Sequence, residues 1–180
     1  RVSGVPLGGA VRRERGRCGI DDGQEGRRPY RRRRGEGQRG AILVPGRVVF
    51  EHEPGLHDLV KKNLREGRLT FTTDVTKAIE QALVIFIGVG TPACVDGATD
   101  LRYIDEVADA IGRCMRDYKV IATKSTVPVG TAERIKERIQ AAQSEHIAFS
   151  VVSNPEFLRE GAGIEDFMRP NRVVIGGEDA

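Results

Sequence analysis

From Pro54 onward the chain switches between two hydrophobic periods. Leu56, Leu59, Val60 and Leu64 recur at the spacing of one helix face, and Gly67 follows where a helix would end. Leu69–Thr73 alternates apolar and polar positions like a strand. Asp74 then stands where it can cap a short helix running through Ala82. Leu83–Val89 is a continuous apolar run, the pattern of a strand buried on both faces. Asp100 is placed to cap a helix whose apolar stripe is Leu101, Ile104, Val107, Ala108, Ile111 and Met115. Val120–Thr123 reads as the next strand. Thr131 reads as the cap of a helix with Ile135 and Ile139 inward and Glu133, Arg134, Lys136, Glu137 and Arg138 mostly outward. Ile147–Val152 and Arg172–Ile175 read as two further strands. Strand and helix alternate, which predicts an α/β fold on a parallel sheet with right-handed crossovers.

The first fifty residues have a different texture. Residues 1–47 hold half of the chain's 22 glycines, and residues 31–34 are four consecutive arginines. Residues 1–50 carry thirteen arginines, no lysine and five acids, a net +8. The whole chain is +3, so residues 51–180 carry −5. The basic character therefore belongs to the arm, and the body does not read as a nucleic-acid binder. With little hydrophobic period, residues 1–47 are expected to be a poorly packed arm. An arm so basic also leaves open a reading as an accessory nucleic-acid-binding module, testable by the salt dependence of binding.

A length of 180 residues suits one ordinary domain. Cys18, Cys94 and Cys114 are odd in number and lack a C-x-x-C pair, which argues against a disulfide framework or a zinc site. A reduced, cytoplasmic setting fits that usage. No apolar run approaches the roughly 20 residues of a membrane span. His52, His57 and His146 have no partner pattern and read as surface residues.

In an open parallel sheet, ligands bind beyond the carboxyl ends of the strands. Three loops leave such ends here: Gly88–Ala93, Lys124–Gly130 and Ser153–Gly161. In the first, two glycines permit close backbone approach and Thr91 offers a hydroxyl, although an ordinary tight exit would look the same. In the second, Ser125 and Thr126 place two hydroxyls past a strand, either for a ligand or for local backbone groups. In the third, Glu156 and Glu160 lie four apart. On a helix they would share one face, where neighbouring carboxylates suit acid–base work; on spacing alone a solvated pair beside Arg159 is the simpler reading.

The spelling of these loops carries more. GVGTP at Gly88–Pro92, KSTVPVGT at Lys124–Thr131, NPEFLREG at Asn154–Gly161 and DFMRPNRVVIG at Asp166–Gly176 resemble the UDP-glucose/GDP-mannose dehydrogenase family. The resemblance runs from near Glu53 to the end. It implies a Rossmann-like doubly wound parallel sheet, with residues 51–180 forming part of an NAD-binding domain. It implies NAD as cofactor, with Val89, Gly90, Thr91 and Pro92 toward the adenosine half. Ser125, Thr126 and Val127 would line the nicotinamide side, with Thr126 assisting catalysis through water. Glu156 would be the acid/base, and Glu156, Phe157, Leu158, Arg159 and Glu160 the sugar-nucleotide site, Glu160 also reaching the cofactor. No metal is implied. The variant resembles the UDP-glucose branch, which oxidises the sugar C6 alcohol to a carboxylate with two NAD and works as a homo-oligomer. GDP-mannose and UDP-N-acetylmannosamine are the alternative substrates. Arg169 and Arg172 could serve a phosphate, but structural salt bridges are the expectation for them.

The chain also departs from that pattern. The family opens with a strand and G-x-G-x-x-G at a helix start, which holds the pyrophosphate. Gly35-Glu-Gly-Gln-Arg-Gly40 matches the letters, but arginines precede it and Ala41–Pro45 follows it, so it is rejected as that motif. The first βαβ unit is therefore expected to be missing or scrambled, and residues 1–50 read as a candidate out-of-frame translation. A one-base shift around Gln24–Pro29 could restore ordinary helix text. The family's central helix, catalytic Lys, nucleophilic Cys and UDP-binding domain are expected to lie beyond Ala180, and none of the three cysteines here matches the nucleophile loop. By itself the chain is expected not to turn over UDP-glucose.

Overall fold

A computed structural model describes residues 53–177 together with two short strands nearer the N-terminus, Ala10–Arg12 and Gly40–Leu43. In chain order the elements are β1 (Ala10–Arg12), β2 (Gly40–Leu43), α1 (Leu56–Arg65), β3 (Leu69–Thr72), α2 (Val75–Gln81) and β4 (Val84–Ile87). They continue with α3 (Arg102–Cys114), β5 (Lys119–Thr123), α4 (Thr131–Ala142), β6 (Phe149–Ser153), α5 (Gly163–Met168) and β7 (Gly176–Gly177). The strands form one sheet in the order β3-β2-β1-β4-β5-β6-β7. The first six follow the strand order of a Rossmann fold. β2 pairs parallel with β3, and β4, β5 and β6 are mutually parallel.

Two features lie at odds with a wholly parallel sheet. β1 runs antiparallel to both its neighbours, β2 and β4. A βαβ unit needs parallel strands, so β1 and β2 do not make one. β7 pairs antiparallel with β6. The Arg172–Ile175 strand expected from sequence is thus replaced by a two-residue strand just after it. Asn154 explains the shift: its side-chain N–H binds the Val174 carbonyl at 2.9 Å and holds that backbone off the ladder.

Two short strands, β1 and β2, come from the segment expected to be a poorly packed arm. β2 falls in the short apolar run Ala41–Val44, which Gly40 and Pro45 bound as they would a strand. Gly40 opens β2 rather than a helix, in keeping with the rejection of the G-x-G-x-x-G reading. Arg31–Arg34, Cys18, His52 and Gln24–Pro29 lie outside the described residues.

The local chemistry of the helix ends is legible. α1 stops because Gly67, at φ 63, takes a left-handed conformation that glycine adopts at little cost. Its N–H returns to Leu64 O and that of Arg68 to Asn63 O. Asp74 caps α2 by accepting the Lys77 N–H at 2.9 Å. Asp100 accepts the Arg102 N–H at 3.0 Å, and the Arg102 guanidinium closes back on the same carboxylate at 2.6 Å. Thr131 is the first residue of α4 rather than its cap; its hydroxyl donates to Pro128 O at 2.7 Å.

The core lies on one side of the sheet. Ile85 and Ile87 of β4 and Ile121 of β5 pack with Ala78 and Ile79 of α2, Ile104, Ala108 and Ile111 of α3, and Ile135 and Ile139 of α4. Val84, Phe86 and Val120 alternate to the other side and are half-buried. Among the described residues, α2, α3 and α4 all contribute to the core on the Ile85 and Ile87 face of β4. α3 and α4 approach closely at Gly112, where a Cβ would fall 2.6 Å from Ile139 O. Two Arg–Asp forks cross the same seam, Arg134 to Asp105 at 2.6 and 2.8 Å and Arg138 to Asp109 at 2.5 and 2.9 Å. Arg134 is exposed and Arg138 half-buried, in keeping with a mostly outward face, and the i, i+4 spacing on each helix also sets them opposite two acids of equal spacing. Lys119, fully buried, donates to the Asp117 carboxylate and to Glu80 O, which ties the start of β5 to α2. No helix among the described residues is long and apolar enough to cross a membrane.

Two outcomes follow for stability. Gly112→Ala forces a methyl against α4 backbone and is expected to destabilise the fold by about 1–3 kcal/mol, read as a lower midpoint in urea unfolding. The Arg102 guanidinium, and then its backbone N–H, hold Asp100 at a pKa of about 2 against an ordinary 3.8. A carboxylate with a lowered folded pKa stabilises above its unfolded value and loses that contribution as pH falls through its folded one. Asp100→Asn is therefore expected to lose less melting temperature than the parent between pH 4 and pH 2. An equal loss would show that the Asp100–Arg102 pair contributes nothing.

Candidate functional site

Because β4, β5 and β6 are parallel, their carboxyl ends share one edge of the sheet, and the three loops expected from sequence leave from it. Hydrogen bonds join them at their roots. The Lys124 and Ser125 N–H groups both reach Ile87 O, at 2.7 and 3.2 Å. The Ser125 hydroxyl donates to Val89 O at 2.6 Å. The Thr91 hydroxyl donates to Thr126 O at 2.9 Å. The first and second loops are thus stitched together by hydroxyls binding main-chain carbonyls. Ser125 is used locally, as the simpler sequence reading had it. Val89 and Val127 pack against the core from this edge, while Gly90, Pro92 and Thr126 are exposed. A Cβ placed at Gly90 would meet no atom within 4 Å, so the space over this glycine is open to a ligand.

The third loop joins through Asn154. Its N–H binds Thr123 O at 2.9 Å, and its side-chain oxygen accepts from Lys124 Nζ at 3.3 Å. With the Val174 contact, Asn154 connects β5, the KSTVPVGT loop and the segment leading to β7. Sequence reasoning gave it no role, although it heads a motif that was singled out. Thr123, at the end of β5, is 3 % exposed, and its hydroxyl is the one buried side-chain group among the described residues without a partner.

The segment bearing Glu156 and Glu160 is not helical over residues 154–159. The helix premise for placing both carboxylates on one face is therefore unmet. Pro155 and the Asn154 contacts set an irregular exit from β6 instead. Glu156 is exposed, and its Oε2 accepts the Leu158 N–H at 2.6 Å. Phe157, Leu158 and Glu160 are exposed around it. Arg159 is committed to Asp166: its backbone N–H and Nε reach Oδ2 at 3.0 Å each, and Nη2 reaches Oδ1 at 2.7 Å. That guanidinium, and then the backbone N–H, hold the Asp166 carboxyl at a pKa of about 2. Arg172 lies over the Phe157 ring, 4.9 Å from its centroid. A cation on an aromatic face thus takes the place of the salt bridge expected for this residue. The carboxylate of Glu53, which no spacing rule could have found, binds the turn that follows at Gly161.

The arrangement offers an open glycine, two hydroxyl-bearing loops and exposed carboxylates on the ligand-binding edge of a parallel sheet. The chain as a whole resembles proteins of known kind. Residues 46–180 match the UDP-glucose/GDP-mannose dehydrogenase family, NAD binding domain. UDP-glucose 6-dehydrogenase of Bacillus subtilis is 50% identical over 129 residues, 72% of this chain and 28% of that protein. The enzyme of that name from Pseudomonas aeruginosa is 44% identical over 145 residues, 79% of this chain and 32% of its own length. A UDP-glucose dehydrogenase structure from Pyrobaculum islandicum superposes with a TM-score of 0.67 at 44% identity, covering 71% of this chain and 30% of that one. A GDP-mannose dehydrogenase ternary complex from Pseudomonas aeruginosa gives 0.68 at 38% identity, covering 71% and 30%. The chain spans about a third of the length of the curated relatives it matches. On the match of residues 46–180, the chain belongs to the UDP-glucose/GDP-mannose dehydrogenase family and carries its NAD-binding domain.

Proposed function

We propose that the chain supplies most of the NAD-binding domain of a UDP-glucose 6-dehydrogenase. The observation that carries this reading is the convergence of the Gly88–Ala93, Lys124–Gly130 and Asn154–Gly161 loops on one sheet edge, in a chain 44–50% identical to proteins of that name. Oxidising a primary alcohol to a carboxylate removes four electrons, that is, two hydrides. NAD, when bound, accepts one hydride per molecule, so the complete reaction consumes two. Val89, Gly90, Thr91 and Pro92 would receive the adenosine half, where Gly90 leaves the backbone open. Ser125, Thr126 and Val127 would face the nicotinamide half. Phe157, Leu158, Arg159 and Glu160 would surround the sugar nucleotide.

Glu156 has the role of acid/base in this reading. One of its oxygens is occupied by the Leu158 N–H, which orients the carboxylate and leaves the other oxygen for a proton. Thr126, exposed on the neighbouring loop, would position the water that relays it. Residues 1–45 are proposed to be text read in the wrong frame, since residues 46–50, first read as part of that segment, fall inside the family match. Two observations support this: the family match begins at residue 46, and β1 lies reversed at the place of the first parallel strand.

Both proposals have direct tests. In the complete enzyme, Glu156→Gln keeps the side-chain shape and removes the titratable group. The expected result is a kcat lower by roughly two to four orders of magnitude with NAD affinity little changed. A near-normal kcat with weakened substrate binding would mean that Glu156 only holds the sugar. Sequencing the gene is expected to show that a one-base shift upstream of residue 46 yields a strand followed by G-x-G-x-x-G. If no frame does so, the reading of residues 1–45 is wrong.

A further inference from the structure

We infer that Glu53 is a positioning residue for the loop that carries Glu156 and Glu160, an inference that rests on the functional reading above. Its Oε2 accepts the Gly161 N–H at 3.1 Å, and its Oε1 accepts the Ile164 N–H at 3.0 Å. The same carboxylate occupies the space beside Gly163, where an added Cβ would lie 3.3 Å from Oε2. Glu53 is itself fixed to the start of α1, since its carbonyl accepts the Leu56 N–H at 3.3 Å. One side chain thus joins two segments more than a hundred positions apart.

Apolar packing does not hold this turn. α5 buries none of its residues, and Phe167 and Met168 are 61% and 70% exposed. An open cleft of about 410 Å³ lies against Glu53, Pro54, Gly161 and Ile164. The polar contacts form a line instead. It runs from α1 through Glu53 to the Gly161–Ile164 turn, and from Asp166 of α5 to Arg159. Next to Arg159 stands Leu158, whose N–H rests on Glu156. Movement at the Glu53 end is therefore transmitted to the carboxylate proposed to do the chemistry.

A carboxylate suits this task. Its two oxygens meet two N–H donors, and each bond is strengthened by the charge. Glutamine has a single carbonyl oxygen and would set an NH2 group against an N–H. Aspartate is one methylene shorter.

Amide exchange measured by NMR on the 180-residue chain tests the inference. In Glu53→Gln, exchange at Gly161 and Ile164 is expected to rise about tenfold, with Leu158 rising alongside them. The Lys77 N–H, held by Asp74 in α2, serves as the control and is expected not to move. Gly163→Ala crowds the carboxylate without removing it, and is expected to give the same pattern more weakly. In the complete enzyme carrying Glu53→Gln, UDP-glucose affinity measured with NAD present is expected to fall about tenfold while NAD affinity holds. Unchanged exchange at Gly161 and Ile164 would overturn the inference. Faster exchange there with Leu158 and UDP-glucose affinity unchanged would make Glu53 a local cap and overturn it as well. Equal loss of both affinities would mark general unfolding and overturn it too. A complete parent enzyme that binds neither ligand counts against the functional reading alone, and the Leu158 exchange rate then decides the role of Glu53.

Discussion

Parallel pairing of β4, β5 and β6 is the constraint on which the rest of the molecule depends. It sends every carboxyl end to one edge and every connecting helix back along the sheet. α3 and α4 must then lie side by side over the same strands, and their separation is set by what fits between them. Gly112 allows the two backbones to meet, and the Asp105–Arg134 and Asp109–Arg138 forks fix how far one helix can slide on the other. The buried isoleucines of β4, β5, α3 and α4 fill the space that remains.

On the ligand edge the architecture works mainly through main-chain carbonyls. Ile87 O takes two N–H groups, Val89 O and Thr126 O each take a hydroxyl, and Thr123 O takes the Asn154 N–H. Such contacts secure the roots of the loops and leave their tips, with Thr126, Glu156 and Glu160, exposed. Side chains at the tips are then free to interact with a ligand. The division also explains why Ser125 and Thr91 can belong to the site and still be used locally.

Much of the body was legible from period alone. Long amphipathic helices such as α3 and the apolar strands β4 and β5 emerge from the spacing of their isoleucines, and Asp74 and Gly67 mark helix ends through chemistry that acts within a few residues. What escaped the sequence was non-local. Glu53 finds its donors more than a hundred positions away, and Asn154 displaces a strand by holding Val174. Arg134 and Arg138 looked like a solvated face because their acids belong to another helix. The apolar run at β4 suggested burial on both faces, yet composition cannot say how many helices will cover each side. In the arm, the apolar run Ala41–Val44 that holds β2 was a strand signal left unread among the surrounding arginines and glycines. Family spelling located the loops, whereas the helical pairing expected for Glu156 and Glu160 gave way to an irregular segment after Pro155.

The backbone contact at Gly112 reaches further than the helix pair. The KSTVPVGT loop is fastened at one end to Ile87 O and at the other to α4, where Thr131 grips Pro128 O. Since α4 cannot travel along α3, both ends of that loop are attached to the same rigid body. The loop after β6 leads instead into α5, which has no buried anchor. The ligand-binding edge therefore carries one loop tied to the packed helix pair and one that leads into a helix without buried residues. A displacement at this edge meets the packed α3–α4 pair on the first side and only the polar contacts of α5 on the second.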